Sequence, residues 1–316
     1  MIGYAIRRMG HLIPILIGIS ILTFGMMTLI PGDPAQALLG SYATRENVAA
    51  LRADMQLDRP LVVQYATWVW HALSGDLGRS YSLDRPVTAV VLDRLGNTLI
   101  LASSAFVVSV TLGLTAGLVG AVWRGRWPDR VMTTTALVGL STPTFWLAMI
   151  LVVVFSVSLG WFPSSGMAKP YGGGGVLDVL KHLVLPALAL GMIASGVIAR
   201  LTRSSMLEVL GQEYLRTARA KGLPERVVIL KHAFKNALVA IIPVIGVQIG
   251  FLLGGAVYIE TIFNWPGVGS MLVIAIQKRD ILLVQGGVLI IAVAYVLINL
   301  AADLIQAAID PRIRVQ

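Results

Sequence analysis

Apolar residues run in blocks along most of this sequence, separated by short stretches where arginine, aspartate, glycine and proline gather. A bilayer's hydrocarbon core is crossed by about 20 mostly apolar helical residues. Five blocks reach that length: residues 11–30, 97–123, 182–200, 238–259 and 281–302. The first is ended by the breaker cluster Pro31-Gly32-Asp33-Pro34. A further stretch, 131–161, exceeds one crossing and is interrupted at Ser141-Thr142-Pro143-Thr144. It is read as a main crossing at 144–160 preceded by a tilted or interfacial lead-in. The pattern predicts an all-α integral membrane protein with six transmembrane helices. The chain divides into 1–96, a first crossing and a long outer loop, and 97–316, a core of five crossings.

Two segments outside the crossings are also patterned. Asp58-Arg59-Pro60 suits the start of a helix whose apolar side is Leu61, Tyr65, Trp68, Val69 and Leu73, predicted to lie at the outer leaflet. Residues 268–276, between Trp265-Pro266-Gly267 and Lys278-Arg279-Asp280, are apolar but too few to cross. They either dip back as a re-entrant cap or pack at the interface.

Composition agrees with the pattern. Of the 316 residues 56% are hydrophobic and 13% charged, and the mean hydropathy is +0.80, far above a water-soluble domain. The net charge of +9 does not point to nucleic acid, because its distribution follows membrane topology. With six crossings and a cytoplasmic N-terminus, the inner segments hold fifteen of the 25 basic residues but only six of the 16 acids. The outer segments are neutral, so both termini are placed in the cytoplasm. The apolar run after Arg7-Arg8 is long for a signal peptide and has no clear small-x-small cleavage site after it, so it is read as an uncleaved first span. Cysteine is absent, and His11, His71, His182 and His232 stand singly, so no metal site is expected.

Within lipid, helices associate where small residues let backbones approach. Gly113 and Gly117 form such a pair in the second crossing. Gly246, Gly250 and Gly254 form a stripe in the fifth, suited to bundle packing or to lining a path, with Gln248 placed to bond a neighbouring helix or a passing polar solute. No crossing carries an ionisable residue near its centre, as ion-coupled secondary transporters and channels usually require. Nor do paired acids or a serine with a basic partner suggest a membrane enzyme.

The segment between the fourth and fifth crossings carries the most information. Residues 212–226 read as two helices joined at Gly222, with Leu207, Leu210, Tyr214 and Ala218 on one face of the first. Pro224 and Glu225 suit the first turn of the second, whose apolar side is Val227, Leu230 and Phe234. The result is a basic elbow whose apolar face needs a partner.

Glu213, Tyr214, Arg216, Thr217, Ala218, Arg219, Ala220, Lys221 and Gly222, followed by Lys231 to Ala237, resemble the EAA loop of bacterial ABC importer permeases. The version is that of the dipeptide and oligopeptide family, which includes glutathione and nickel importers. Pro31-Gly32-Asp33-Pro34, Gly75-Asp76-Leu77-Gly78 and Phe263-Asn264-Trp265-Pro266-Gly267 extend the likeness over nearly the whole chain. Gln212-Glu213-Tyr214 stands where the motif's name would have Glu-Ala-Ala, as is usual in this subfamily. The resemblance implies a type I ABC importer permease fold in the inner membrane, with the elbow as a coupling helix seated on an ATPase. It implies as partners a second homologous permease, two ATPase subunits, an extracytoplasmic substrate-binding protein and membrane lipid. ATP and magnesium belong to the ATPase subunits, and this chain is expected to bind no cofactor: no Gly-Lys pair exists from which a phosphate loop could be built. The expected cargo is di- or oligopeptide, with glutathione, nickel or another small solute as alternatives.

Overall fold

The structure, a computed structural model, describes residues 2–29, 32–40, 43–169 and 174–309. Pro31, Gly172, Gly173, Asp310, Arg312 and Arg314 lie outside the described residues, as do the side chains of Arg7, Arg8 and His11.

Helices dominate. α1 (Ile2–Leu29) is followed by the short α2 (Pro34–Leu39), α3 (Arg45–Asp54) and α4 (Leu61–Leu73). A two-residue hairpin, β1 (Arg79–Ser80) with β2 (Arg85–Pro86), is antiparallel and pairs Arg79 with Pro86. Next come α5 (Val87–Val122), α6 (Trp127–Ser141), α7 (Thr144–Leu151), which runs on through a π-wound segment Val152–Ser158, and α8 (Val176–Leu210). After α9 (Glu213–Ala220), the helical path from Glu225 to Ile262 comprises α10 (Glu225–Val227), a π-wound segment Val228–Phe234 and α11 (Lys235–Ile262). α12 (Val268–Gln277) and α13 (Ile281–Ile309) complete the order.

Five helices are long and apolar enough to cross a membrane. Counting the pair α6 and α7, bent by 111° at Thr142-Pro143, as one span brings the number to six. Proline disfavours the helical conformation of the residue before it, so Thr142 is extended (φ −87°, ψ 124°) and the pair breaks there. The lead-in to the third crossing is thus a full helix in its own right. The outer helix α4 starts at Pro60, but only part of the expected face is covered: Trp68 is buried, while Leu61 and Leu73 at its ends are exposed. Its aromatic residues run along α1, where Tyr65 meets Phe24 edge-on at 5.4 Å and its hydroxyl is 2.8 Å from Ser20 Oγ. The segment after Trp265 is the ten-residue α12, about 15 Å long and unable to span.

Contacts divide the chain into two compact units. One comprises Leu99–Trp265 and the segment from Ala301 on. Its centre is α8, 72% of whose most apolar window is buried, against 17% in α1. Small side chains allow this: a Cβ on Gly191 would lie 2.7 Å from Ala105 O, and one on Gly196 2.7 Å from Ala136 O. Gly113 and Gly117 are equally tight, facing Ile198 and Thr202 of α8. Leu185, Leu190 and Ala194 of α8 then pack with Leu252, Ile259, Phe263 and Trp265.

The other unit comprises Ile2–Thr98 and Pro266–Leu300. Its core joins Met27, Leu77, Val87 and Val91 to Met271, Leu272 and Leu283. Asp280 is fully buried beside the start of α13, where it accepts from Ser80 Oγ (2.6 Å), Ser82 N (3.0 Å) and Leu283 N (3.2 Å). One carboxylate thereby satisfies both a helix N-terminus and the hairpin. Thr98 Oγ1 accepts from Val268 N at 2.9 Å, supplying α12 with a partner for one of its first amides.

Candidate functional site

The elbow is built from the end of α8 to the start of α11. α8 stops at Gly211, and α9 begins after Gln212, whose backbone is extended (φ −74°, ψ 143°). Helical periodicity therefore does not carry across Gly211 and Gln212, and the expected face of Leu207, Leu210, Tyr214 and Ala218 is not continuous. The residues that α9 buries are Leu215 and Ala218. They pack into this unit's own core with Ala121, Ile198, Met206, Val228, Ala233, Ala237 and Ile241. The apolar side thus anchors the elbow instead of awaiting a partner; burying one leucine is worth about 1.5–3 kcal/mol.

What α9 leaves exposed is a mixed face. Glu213, Tyr214, Arg216, Thr217, Arg219 and Ala220 are all exposed, as are Lys221 and Gly222 beyond it. Local bonds hold this face in shape. Arg216 Nη1 donates to Glu213 Oε1 at 2.9 Å within α9. Arg219 donates twice to Glu225, at 3.1 and 2.9 Å, so the guanidinium bridges the two arms of the elbow. That hydrogen bonding raises the arginine's pKa further above its ordinary value. Asn236 Nδ2 donates to Tyr214 Oη at 2.8 Å and to His232 O at 2.9 Å.

Gly222 sets the bend. Its φ is +78°, in the left-handed region that residues with a Cβ avoid. Its N–H bonds Arg219 O at 2.9 Å, and Leu223 N bonds Ala218 O at 3.4 Å. Together these form a Schellman cap with glycine in the position that requires it. Pro224 then starts the next helix.

The second arm differs from expectation in its buried side. Val227 is half-buried and Leu230 exposed, while Val228 and Ala233 are buried. The cause is the π-wound stretch Val228–Phe234, whose i→i+5 bonding widens the turn and shifts the phase of the buried side.

A second feature ties this region to the bundle. Arg203 Nε and Nη2 donate to Asp129 Oδ1 and Oδ2 at 2.6 and 2.9 Å. Asp129 also accepts from Gly125 N at 2.9 Å and Thr133 Oγ1 at 3.2 Å. This clasp joins the start of α6 to α8 about two turns before Leu210. Sequence reasoning counted both residues only as topological charges. Asp129 is, however, the sole acid between Trp123 and Val131, which is a signal for a specific partner.

The residues singled out in the fifth crossing do not share one face. Gln248 is buried on the side of α11 that carries Ile241, Leu252, Ala256 and Ile259. Gly254 is exposed with nothing within 4 Å of a Cβ, and the nearest atom to one on Gly246 is Ala302 Cβ at 3.9 Å. Gly250 is half-buried between them along the helix. Within this chain the glycine stripe is therefore open, in contrast to Gly113 and Gly117. Glu260, fully buried near the outer end of α11, was not singled out from sequence.

Multiple helices long and apolar enough to cross, a bent pair among them, with a bridged elbow and α12 too short to span, define a multi-pass membrane protein. The family described as "Binding-protein-dependent transport system inner membrane component" matches residues 109–315, and that described as "Binding-prot-dependent transport system membrane comp, N-term" matches 1–102. The chain belongs to this family of inner-membrane ABC importer permeases. It is 42% identical over 314 residues to the glutathione transport system permease protein GsiC of Salmonella choleraesuis (strain SC-B67), covering 99% of each chain. To GsiC of Escherichia coli (strain K12) it is 41% identical over the same length, again with 99% of each chain covered. Among solved structures, an inward-facing MetNI methionine ABC transporter chain shares the fold with a TM-score of 0.55 at 19% identity, over 70% of this chain and 96% of that one. A chain of an amino acid ABC transporter with histidines gives 0.52 at 18% identity, over 71% and 94%. The chain is thus a multi-pass inner-membrane permease subunit, and its family works with an ATPase and a substrate-binding protein.

Proposed function

We propose that α9 and the bend after it form a coupling helix through which two separate ATPase subunits drive this chain and a second, homologous permease. The observation that carries this reading is the division of α9 into an anchored side and a presented side. Leu215 and Ala218 fix it to the bundle, while Glu213, Tyr214, Arg216, Thr217, Arg219, Ala220 and Lys221 face outward beside the bend at Gly222. A helix so fixed moves with the bundle, so a push on its outer face is passed to α8 and α11 instead of being absorbed in a loop. ATP and magnesium sit on the ATPase subunits and supply the phosphate chemistry there. Alternating access follows: the binding protein delivers its load outside, the ATPases close, and the cavity between the permease halves changes its open side. Gly250 and Gly254 are proposed to line that path, with Gln248 behind them.

The proposed cargo is a short peptide. Glutathione, itself a small peptide derivative, is the first compound to test, because relatives 42% identical over nearly the full length carry its name. The cognate binding protein should melt at higher temperature with glutathione or a dipeptide, as any ligand of the folded state requires. Proteoliposomes holding the whole complex should take up the same compound only with binding protein and ATP. Stabilisation and uptake by nickel ion alone would overturn the peptide assignment.

A further inference from the structure

The unit formed by 2–98 and 266–300 contains a cavity of about 530 Å³ that plays no part in the coupling scheme. This volume is within the range that holds small ligands. Its floor is apolar, with Met27, Trp68 and Leu77 all buried. Gln285 of α13 also lines it and is 3% exposed, its amide able both to donate and to accept. A buried polar group without a partner is expensive unless a ligand or water completes it. The indole Nε1 of Trp68, which also lines the cavity, is such a group, buried and unpaired.

The mouth is acidic. Asp33 is paired with Arg52 at 3.0 Å, leaving Asp54 and Asp76 as lining carboxylates with no cationic partner among the described residues. Asp54 Oδ2 accepts from Tyr81 Oη at 3.0 Å, and Asp76 Oδ1 from Gly78 N at 2.9 Å. Each carboxylate keeps its second oxygen uncommitted. Burial, with the bond to Asp54, pushes the Tyr81 hydroxyl up to about 12, so it stays a neutral donor. His71 also lines the cavity and is exposed.

We infer that this cavity binds a primary ammonium joined to an apolar body and a carbonyl group. The ammonium meets Asp54 and Asp76 at the mouth, the apolar body rests on Met27, Trp68 and Leu77, and the carbonyl accepts from the Gln285 amide. Two sources carry this chemistry: a free amino-acid amide or peptide amino terminus, and the ethanolamine headgroup of a phospholipid with its ester.

The test uses the full chain in phosphatidylcholine nanodiscs and L-phenylalaninamide as the probe, at a pH of about 6, below the usual α-amino pKa of about 7.7. Saturation-transfer NMR should show binding above that of empty nanodiscs, and N-acetylphenylalaninamide, which lacks the charge, should bind at least fivefold more weakly. The exposed-site variant Asp54→Asn/Asp76→Asn should weaken the probe about fivefold to tenfold without altering the melting temperature. Gln285→Leu should weaken it about tenfold by removing the amide. Phosphatidylethanolamine seen by native mass spectrometry on the parent chain, displaced by the probe and lost in both variants, would identify the lipid as the source; probe binding unaffected by added phosphatidylethanolamine would identify the free amine. Binding equal to empty nanodiscs, equal affinity for the acetylated probe, or indifference to Asp54→Asn/Asp76→Asn overturns the inference.

Discussion

Replacing Gly117 by leucine is expected to leave almost no folded permease in the membrane. Even the first carbon of a side chain there would lie 2.4 Å from Thr202 Cβ and 2.6 Å from Ala199 O. Neither neighbour can yield, since one is a branched side chain's first carbon and the other the backbone of α8. Overpacking a formed core costs about 1–3 kcal/mol, and more where the obstacle is backbone. Against that, alanine's helix propensity returns only about 1 kcal/mol relative to glycine. Gly117→Ala should therefore already lower the yield of monodisperse protein, and Gly117→Leu should abolish it. Gly246→Ala is the matched control: its Cβ would meet Ala302 Cβ at 3.9 Å, an ordinary contact, and yield should hold. Size-exclusion profiles of the three variants against the parent chain check this. A normal profile for Gly117→Leu would mean that α5 and α8 do not approach as described.

Gly222→Val is expected to insert normally but to lose at least tenfold in ATP-driven uptake. No atom lies within 4 Å of a Cβ at this position, so the side chain has room. The penalty is in the backbone: at φ +78° an L-residue is disfavoured by about 1–2 kcal/mol, and a β-branched one by more. Relief comes by unwinding the Schellman cap, which loosens the last turn of α9 and with it the angle between the arms. Asparagine tolerates the left-handed region better than other residues with a side chain. Gly222→Asn should therefore keep most of the transport that Gly222→Val loses, although the two side chains are of similar bulk. Uptake in proteoliposomes of equal protein content distinguishes them. Equal loss in both variants would place the effect in the side chain and not in the bend.

Much of this molecule was legible because bilayer crossings are long, and a long apolar run needs no periodicity to be recognised. The elbow's existence was equally plain, since Gly222, Pro224 and Glu225 are local signals for one helix ending and another beginning. Its buried side was not. Extending a 3.6-residue period through Gly211-Gln212 and through Val228–Phe234 assigned the wrong residues, because a break resets the phase and π winding changes it. The bent third crossing was half visible: Pro143 marked the interruption, but composition alone does not show that the lead-in is a 15-residue helix turned through 111°. The glycines of α5 and α11 looked alike in sequence, yet only the first pair is pressed closely against another helix of this chain. Spacing reports that close approach is possible, and the partner's surface decides whether it happens. The clasp between Asp129 and Arg203 and the cavity beside Gln285 join residues far apart in sequence, 74 positions in the first case, and no local pattern announces them.

The assignment of α9 to an ATPase is tested most directly by cysteine cross-linking, and the chain has no native cysteine to interfere. Arg216→Cys and Ala220→Cys would each place one thiol on the outward face of α9, and Leu73→Cys, 80% exposed at the end of α4, would place one on the opposite side of the membrane. In the assembled complex, a short bismaleimide should trap an ATPase subunit from both α9 positions and none from Leu73→Cys. The yield should change when ATP closes the motor. If α9 cysteines that label fully with a simple maleimide never trap an ATPase subunit in an actively transporting complex, the elbow is not where the motor engages.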